Sequence, residues 1–173
     1  GLLVQRPADG SNIRVLLSDL DAGQPALTLG QSSADTVVMV DGPSVFSGVL
    51  ADAGHGPGSV RKVAPHAQVL ERRLQITGRL VIDGGSIVTG SDPETLASVQ
   101  VDLNVDNGLE LGNVTANRVA VGALAGSGAL ALPASVGTLE LGRLRAAGTS
   151  ARYGGALDLG TRSLVKQGAG EQV

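Results

Sequence analysis

The sequence predicts an all-β solenoid, a stack of short strands joined by tight corners, and three observations carry that prediction. First, apolar and small residues alternate with period two along residues 119–132, and glycines punctuate the run every few positions. The same character continues through residues 138–142, 153–157 and 163–170. Second, the interior has to be built almost without rings: 42% of the 173 residues are apolar, yet Phe46 and Tyr153 are the only aromatics, and 26 residues are glycine. A sandwich or α/β enzyme of this size anchors its core on several large rings, whereas a solenoid layers Leu, Val, Ile and Ala. Third, two stretches of the chain look alike. Leu27-Thr-Leu-Gly30, Phe46-Ser-Gly-Val-Leu50 and Ser59-Val-Arg-Lys62 match Leu139-Glu-Leu-Gly142, Tyr153-Gly-Gly-Ala-Leu157 and Ser163-Leu-Val-Lys166. Both aromatics fall at matched places, which predicts a ring at one corner or core layer of each repeat. The spacing between matched strands varies, as solenoid loops allow.

Composition bounds the function classes. The length suits one domain with a continuous core, and the positive mean hydropathy argues against disorder. A net charge of −3, with no block of either sign, indicates neither a nucleic-acid footprint nor a membrane-surface patch. The one basic cluster, Arg72-Arg73, reads as a solvated strand edge. With no cysteine there is neither disulfide nor thiol chemistry, which fits an exported chain and a cytosolic one equally. No apolar run approaches the roughly 18 residues of a membrane span. Gly1-Leu-Leu-Val lacks the regions of a signal peptide, so the signal of an exported protein would lie upstream.

Taken in order, the chain opens with strands at Leu2-Leu-Val4, Ile13-Arg-Val-Leu-Leu17 and Ala26-Leu-Thr-Leu-Gly30, separated by turn signals at residues 8–12 and 21–25. Strands at residues 36–41 and 45–50 follow, divided by Gly42-Pro43. Residues 51–58 form the longest loop, where a binding excursion could sit. The strand pattern resumes at Ser59 and includes Gln68-Val-Leu70 and residues 79–88, with Asp83-Gly84-Gly85 as a corner. Ser91-Asp-Pro-Glu94 carries the signature of a helix cap and predicts at most one helical turn. Beyond it Val99, Val101, Leu103 and Val105 alternate strictly, which predicts a strand with one buried face. Asp106-Asn-Gly108 makes the next corner, and residues 109–114 lead into the Gly-rich run.

The residue types that carry chemistry are scattered. His55 and His66 are the only histidines, each beside Gly or Pro, and no carboxylate pair stands near them at ligand spacing. Asp83 and Asp106 are explained by turn formation. Gly126-Ser-Gly128 is not a phosphate loop, because no Lys-Ser/Thr follows at a helix start. Tandem Gly-Gly-x-Gly-x-Asp calcium repeats do not occur. Arg143, Arg145, Arg152 and Asp158 could approach one another across rungs and form the only candidate for a carbohydrate-active cluster. Scattered edge charges for solubility explain them as well. The sequence therefore assigns no catalytic, cofactor-binding or metal-binding residue.

Val121-Gly-Ala-Leu-Ala-Gly-Ser-Gly-Ala-Leu130, followed by Tyr153-Gly-Gly-Ala-Leu157 and Ser163-Leu-Val-Lys-Gln-Gly-Ala-Gly170, resembles the passenger-associated transport repeat of bacterial autotransporters, the type V secretion family. There a "GxLxGSG" segment leads to an aromatic-x-Gly strand and then to "LxKxGxG". The stronger copy covers about residues 119–173 and a weaker one about residues 27–90. In the weaker copy Ser59-Val-Arg-Lys62 stands at the lysine segment, but Val63-Ala-Pro-His66 lacks the "GxG" and Leu74-Gln-Ile-Thr77 lacks the tyrosine. The resemblance implies that residues 1–173 are a single segment of a right-handed parallel β-helix with short irregular loops, part of a longer passenger. It implies a surface-displayed or secreted chain of a Gram-negative bacterium, exported through the periplasm and carried by a C-terminal β-barrel translocator. Upstream and downstream passenger rungs would be its neighbours, and a host protein or glycan its ligand. The expected role is structural and interactive, an adhesin or virulence-factor stalk aiding folding and export, without enzymatic activity, cofactor or nucleic-acid partner. The alternatives are a carbohydrate-active β-helix (a lyase or hydrolase) and a fragment of a two-partner-secreted filament. The solenoid predicts roughly seven or eight rungs of about 20–25 residues, rising about 4.8 Å each. Its end at Glu171-Gln-Val173 is expected to be open and uncapped.

Overall fold

A computed structural model describes residues 2–4, 14–16, 26–29, 36–39, 44–46, 49–51, 59–63, 65–111, 114–143 and 150–173, with side chains described from Val45 onward. Every regular element among them is a β-strand, and every strand pairing is parallel. The chain is a parallel β-solenoid. Its first strands are β1 (Leu2–Val4), β2 (Arg14–Leu16), β3 (Ala26–Leu29), β4 (Thr36–Met39), β5 (Ser44–Phe46) and β6 (Val49–Ala51). Next come β7 (Val60–Lys62), β8 (Ala67–Leu70), β9 (Arg79–Ile82), β10 (Ser86–Thr89), β11 (Leu96–Leu103) and β12 (Leu109–Glu110). The last seven are β13 (Arg118–Gly126), β14 (Leu130–Ala131), β15 (Thr138–Leu141), β16 (Ser150–Ala151), β17 (Leu157–Asp158), β18 (Ser163–Lys166) and β19 (Glu171–Gln172).

The pairings sort these strands onto three faces. The first face begins with β1, β3 and β6 and passes through Gln75, which bridges Ala51. It continues through the opening residues of β11 and β13 to β15 and β18. The second runs from β2, β4, β7 and β9 to the closing residues of β11 and β13, then to Tyr153, which bridges Gly126. The third holds β5, β8, β10 and β12 and is continued by β14 and β17. Because β11 and β13 run through a corner without a break, one eight-stranded sheet wraps from the first face to the second. The register slips between Leu96 and Gln100 at that corner. Gly122 is what lets the two long strands bend together, since a Cβ there would stand 2.6 Å from the Val99 carbonyl oxygen.

Rung length follows from the register. Lys62 stands under Ile82, Ile82 under Leu103 and Leu103 under Gly126, so successive turns take 20, 21 and 23 residues. From β7 to β18 the chain makes about five such turns. Period-two alternation gives each turn its inward side chains, and the parallel register sets them in columns: Val60, Leu80, Val101 and Leu124 stand one above another, all buried. Each such aliphatic side chain removed from water stabilises the fold by about 1.5–3 kcal/mol. The expected strand through Val99, Val101, Leu103 and Val105 is β11, but it ends at Leu103 and leaves Val105 half-buried at a bend; Asp83-Gly84-Gly85 and Asp106-Asn-Gly108 are corners between faces, with Asn107 at φ 54°.

Two placements differ from the sequence reading. Phe46 lies buried on the third face opposite Leu70, whereas Tyr153 is half-buried on the second and donates its hydroxyl to the Gly128 carbonyl at 2.6 Å. The two rings are therefore not equivalent, because loops of unequal length carry similar strings to different faces. Ser91-Asp-Pro-Glu94 forms a single hydrogen-bonded turn, within the one helical turn at most that is expected there, but its cap differs. Asp92 rather than Ser91 is its cap: Asp92 Oδ1 accepts from Glu94 N at 2.8 Å, and the Asp92 carbonyl accepts from Thr95 Oγ1 at 2.7 Å. The loop at residues 52–58 with His55, the turns at 8–12 and 21–25, Gly42-Pro43 and Arg145 lie outside the described residues.

Candidate functional site

Corners of a solenoid stack as its strands do, and one stack makes a trough. Leaving β8, the chain turns from the third face to the first through Glu71, Arg72 and Arg73, all exposed. One rung on, Gly90, Ser91 and Asp92 make the same corner, and Gly90 N donates to the Leu70 carbonyl at 2.8 Å. The fit is close: a Cβ on Gly90 would stand 2.7 Å from the Glu71 carbonyl oxygen. Two depressions meet there. One, of about 450 Å³, is lined by Val69, Glu71, Arg72, Gly90 and Ser91. The other, of about 340 Å³, is lined by Val49, Glu71, Arg72, Arg73, Gln75 and Asp92. Glu71 and Arg72 border both, so they form one polar trough across the corner. Arg73 leans on Asp92 at 3.5 Å. The Arg72-Arg73 pair, expected at a strand edge, thus lies between strands.

A second polar array covers the outside of the first face. Arg118 bridges Glu94 at 2.6 Å and Glu140 at 3.1 Å, and Arg143 also reaches Glu94. These four residues tie turns that are 22 to 49 positions apart in sequence. Similar links join Arg61 to Asp83 at 2.5 Å and Arg79 to Asp102 at 3.1 Å, while Asn104 Nδ2 donates to Asp83 Oδ1 at 2.7 Å. Each arginine is more than 40% exposed on its side chain, so each pair is a modest contribution on its own.

Lys62 is the unexpected interior residue. Its place in the inward column below Ile82 leaves it 0% exposed, and its Nζ donates to the Gly84 carbonyl at 3.2 Å. Burial lowers its pKa below the ordinary lysine value. Burial raises the pKa of Tyr153 above the ordinary phenol value, helped by the negative charge of Asp106 and opposed by a backbone hydrogen bond with Leu130.

The residues singled out from sequence do not converge. His66 is exposed at a bend. Asp106 Oδ1 accepts from Ala129 N at 2.8 Å, and Asp158 Oδ1 accepts from Gly160 N at 3.0 Å, so both serve turns. Arg143 joins Glu94 rather than Asp158. Among the described residues no group of three or more His, Asp or Glu side chains could hold a metal ion. Comparison of the chain with protein-family models, with curated proteins and with solved structures finds no match.

Proposed function

We propose that the chain is a structural and interaction segment of a secreted, surface-displayed passenger of the autotransporter kind, a stalk that aids folding and export and presents a recognition face. The observation that supports this reading most is the parallel stacking, in which the described turns from β7 to β15 lay their inward side chains on one another. Such a stack folds by addition. Each completed rung offers an unpaired strand edge and an apolar face to the next, so a chain emerging through a narrow exporter would be drawn outward as it folds. Its outer surfaces carry polar ladders and a shallow trough, which suit contact rather than enclosure of a small substrate. The Gly-rich segment and the "LxKxGxG" string add the resemblance to this family's repeats.

The test is to place the 173-residue chain between a signal sequence and an autotransporter β-barrel and to compare it with a form lacking residues 119–170. Surface display and binding to host cells are measured separately, the second normalised to the first. Loss of display identifies an export scaffold, and intact display with lost binding identifies a recognition surface. If neither changes, the reading is wrong.

A further inference from the structure

We infer that the corner trough binds an uncharged glycan chain, an inference that deepens the reading of the solenoid as an interaction segment and rests on it. The trough has the reach for an extended ligand, because two depressions of about 450 and 340 Å³ share Glu71 and Arg72 and continue from one face onto the next. Each lies in the size range of small-ligand sites. Its chemistry is that of vicinal hydroxyls. Planar groups with paired donors or acceptors dominate the lining: the Glu71 carboxylate, the Arg72 and Arg73 guanidinium groups and the Gln75 amide, with the Ser91 hydroxyl beside them. A carboxylate accepts from two neighbouring hydroxyls at once, and a guanidinium donates to two neighbouring oxygens.

The charge balance favours a neutral ligand. Among the described residues of the lining two carboxylates, Glu71 and Asp92, offset two guanidinium groups. Asp92 is already engaged by Arg73 and Glu94 N, so Glu71 is the acceptor presented to a ligand, and among the described residues its carboxylate has no partner. Among the described residues Val49 and Val69 are the only large apolar side chains of the lining, enough to meet the apolar face of a sugar ring but without the ring stacking that makes tight monovalent sites. Affinity per site is therefore low, and repeated glycan units would raise it through avidity.

The test is an NMR titration of the isotopically labelled 173-residue chain with three probes: an α-1,4-linked and a β-1,4-linked glucose hexamer, and a galacturonate hexamer of equal length. Shifts confined to the amides of residues 69–75 and 90–92 on addition of a glucose hexamer are expected, unchanged by salt. Glu71→Gln and Arg72→Gln should each weaken binding about tenfold, the factor of one hydrogen bond to a charged group. The rest of the spectrum reports that the variants keep their fold. Absence of shifts with both glucose hexamers overturns the inference, as does binding of the galacturonate hexamer alone that disappears with salt and ignores Glu71→Gln. Failure here leaves the display assay untouched, so the two readings fall separately.

Discussion

The Gln172 side chain closes the backbone of Leu124, two turns below it. Gln172 Oε1 accepts from Leu124 N at 3.1 Å, and its Nε2 donates to the Leu124 carbonyl at 2.6 Å and to the Ala151 carbonyl at 3.2 Å. The β13 residues Leu124 to Gly126 are beyond the reach of β15, which pairs only with Arg118 to Val121. An amide side chain thus supplies the donor and acceptor that a neighbouring strand would have offered.

Gln172→Ala removes all three bonds and exposes a paired amide. A loss of about 1–3 kcal/mol is expected, which lowers Tm by roughly 2–4 °C per kcal/mol for a chain of this size. Hydrogen exchange locates the effect: the Leu124 amide should exchange faster, while the Val101 amide in the buried column does not change.

Thr89 offers the opposite change. It is 1% exposed, and among the described residues its hydroxyl has no hydrogen-bond partner. Thr89→Val keeps the β-branched shape that suits β10 and removes the stranded hydroxyl. Stabilisation of about 1 kcal/mol or more is expected, read from urea unfolding.

The array on the first face acts as a network. Arg118 joins Glu94 and Glu140 at once, and Glu94 also holds Arg143. A double-mutant cycle on Arg118→Met and Glu140→Gln should give a coupling of about 0.2–1 kcal/mol. That coupling should shrink as salt is raised toward 1 M, because both pairs border solvent.

Much of this architecture was legible in the sequence, and the missing parts share a cause. The alternation at Val99, Val101 and Leu103 marks a strand wherever its partners are, and Asp106-Asn107-Gly108 marks a corner by its own backbone preferences. Both are local signals. The trough is not local: Glu71 meets Ser91 only because that turn takes about twenty residues, and turns here vary from 20 to 23. Gln172 and Leu124 lie 48 positions apart, beyond any pattern of spacing. Lys62 was hidden for another reason, since a lysine at an inward strand position reads as surface until the column around it is seen.

Lys62 also gives the pH dependence. Its folded pKa lies below its unfolded one, so the unfolded chain binds more protons between the two values. Stability therefore rises with pH between the two values and levels off above the ordinary lysine value of 10.5. Lys62→Met removes this term. The variant is expected to be at least as stable as the natural chain near neutral pH, and the gap should narrow as pH approaches 10.5.

The parallel stack can be measured directly, because the chain contains no cysteine. Arg79 and Gln100 are register partners on adjacent rungs, about 4.8 Å apart between Cα atoms and within disulfide reach. Arg79→Cys with Gln100→Cys should oxidise to an intramolecular disulfide in the folded chain, whereas Arg79→Cys with Asn104→Cys, four positions further along, should stay reduced. A chain in which the first pair fails to close, or both pairs close equally, would contradict the parallel solenoid.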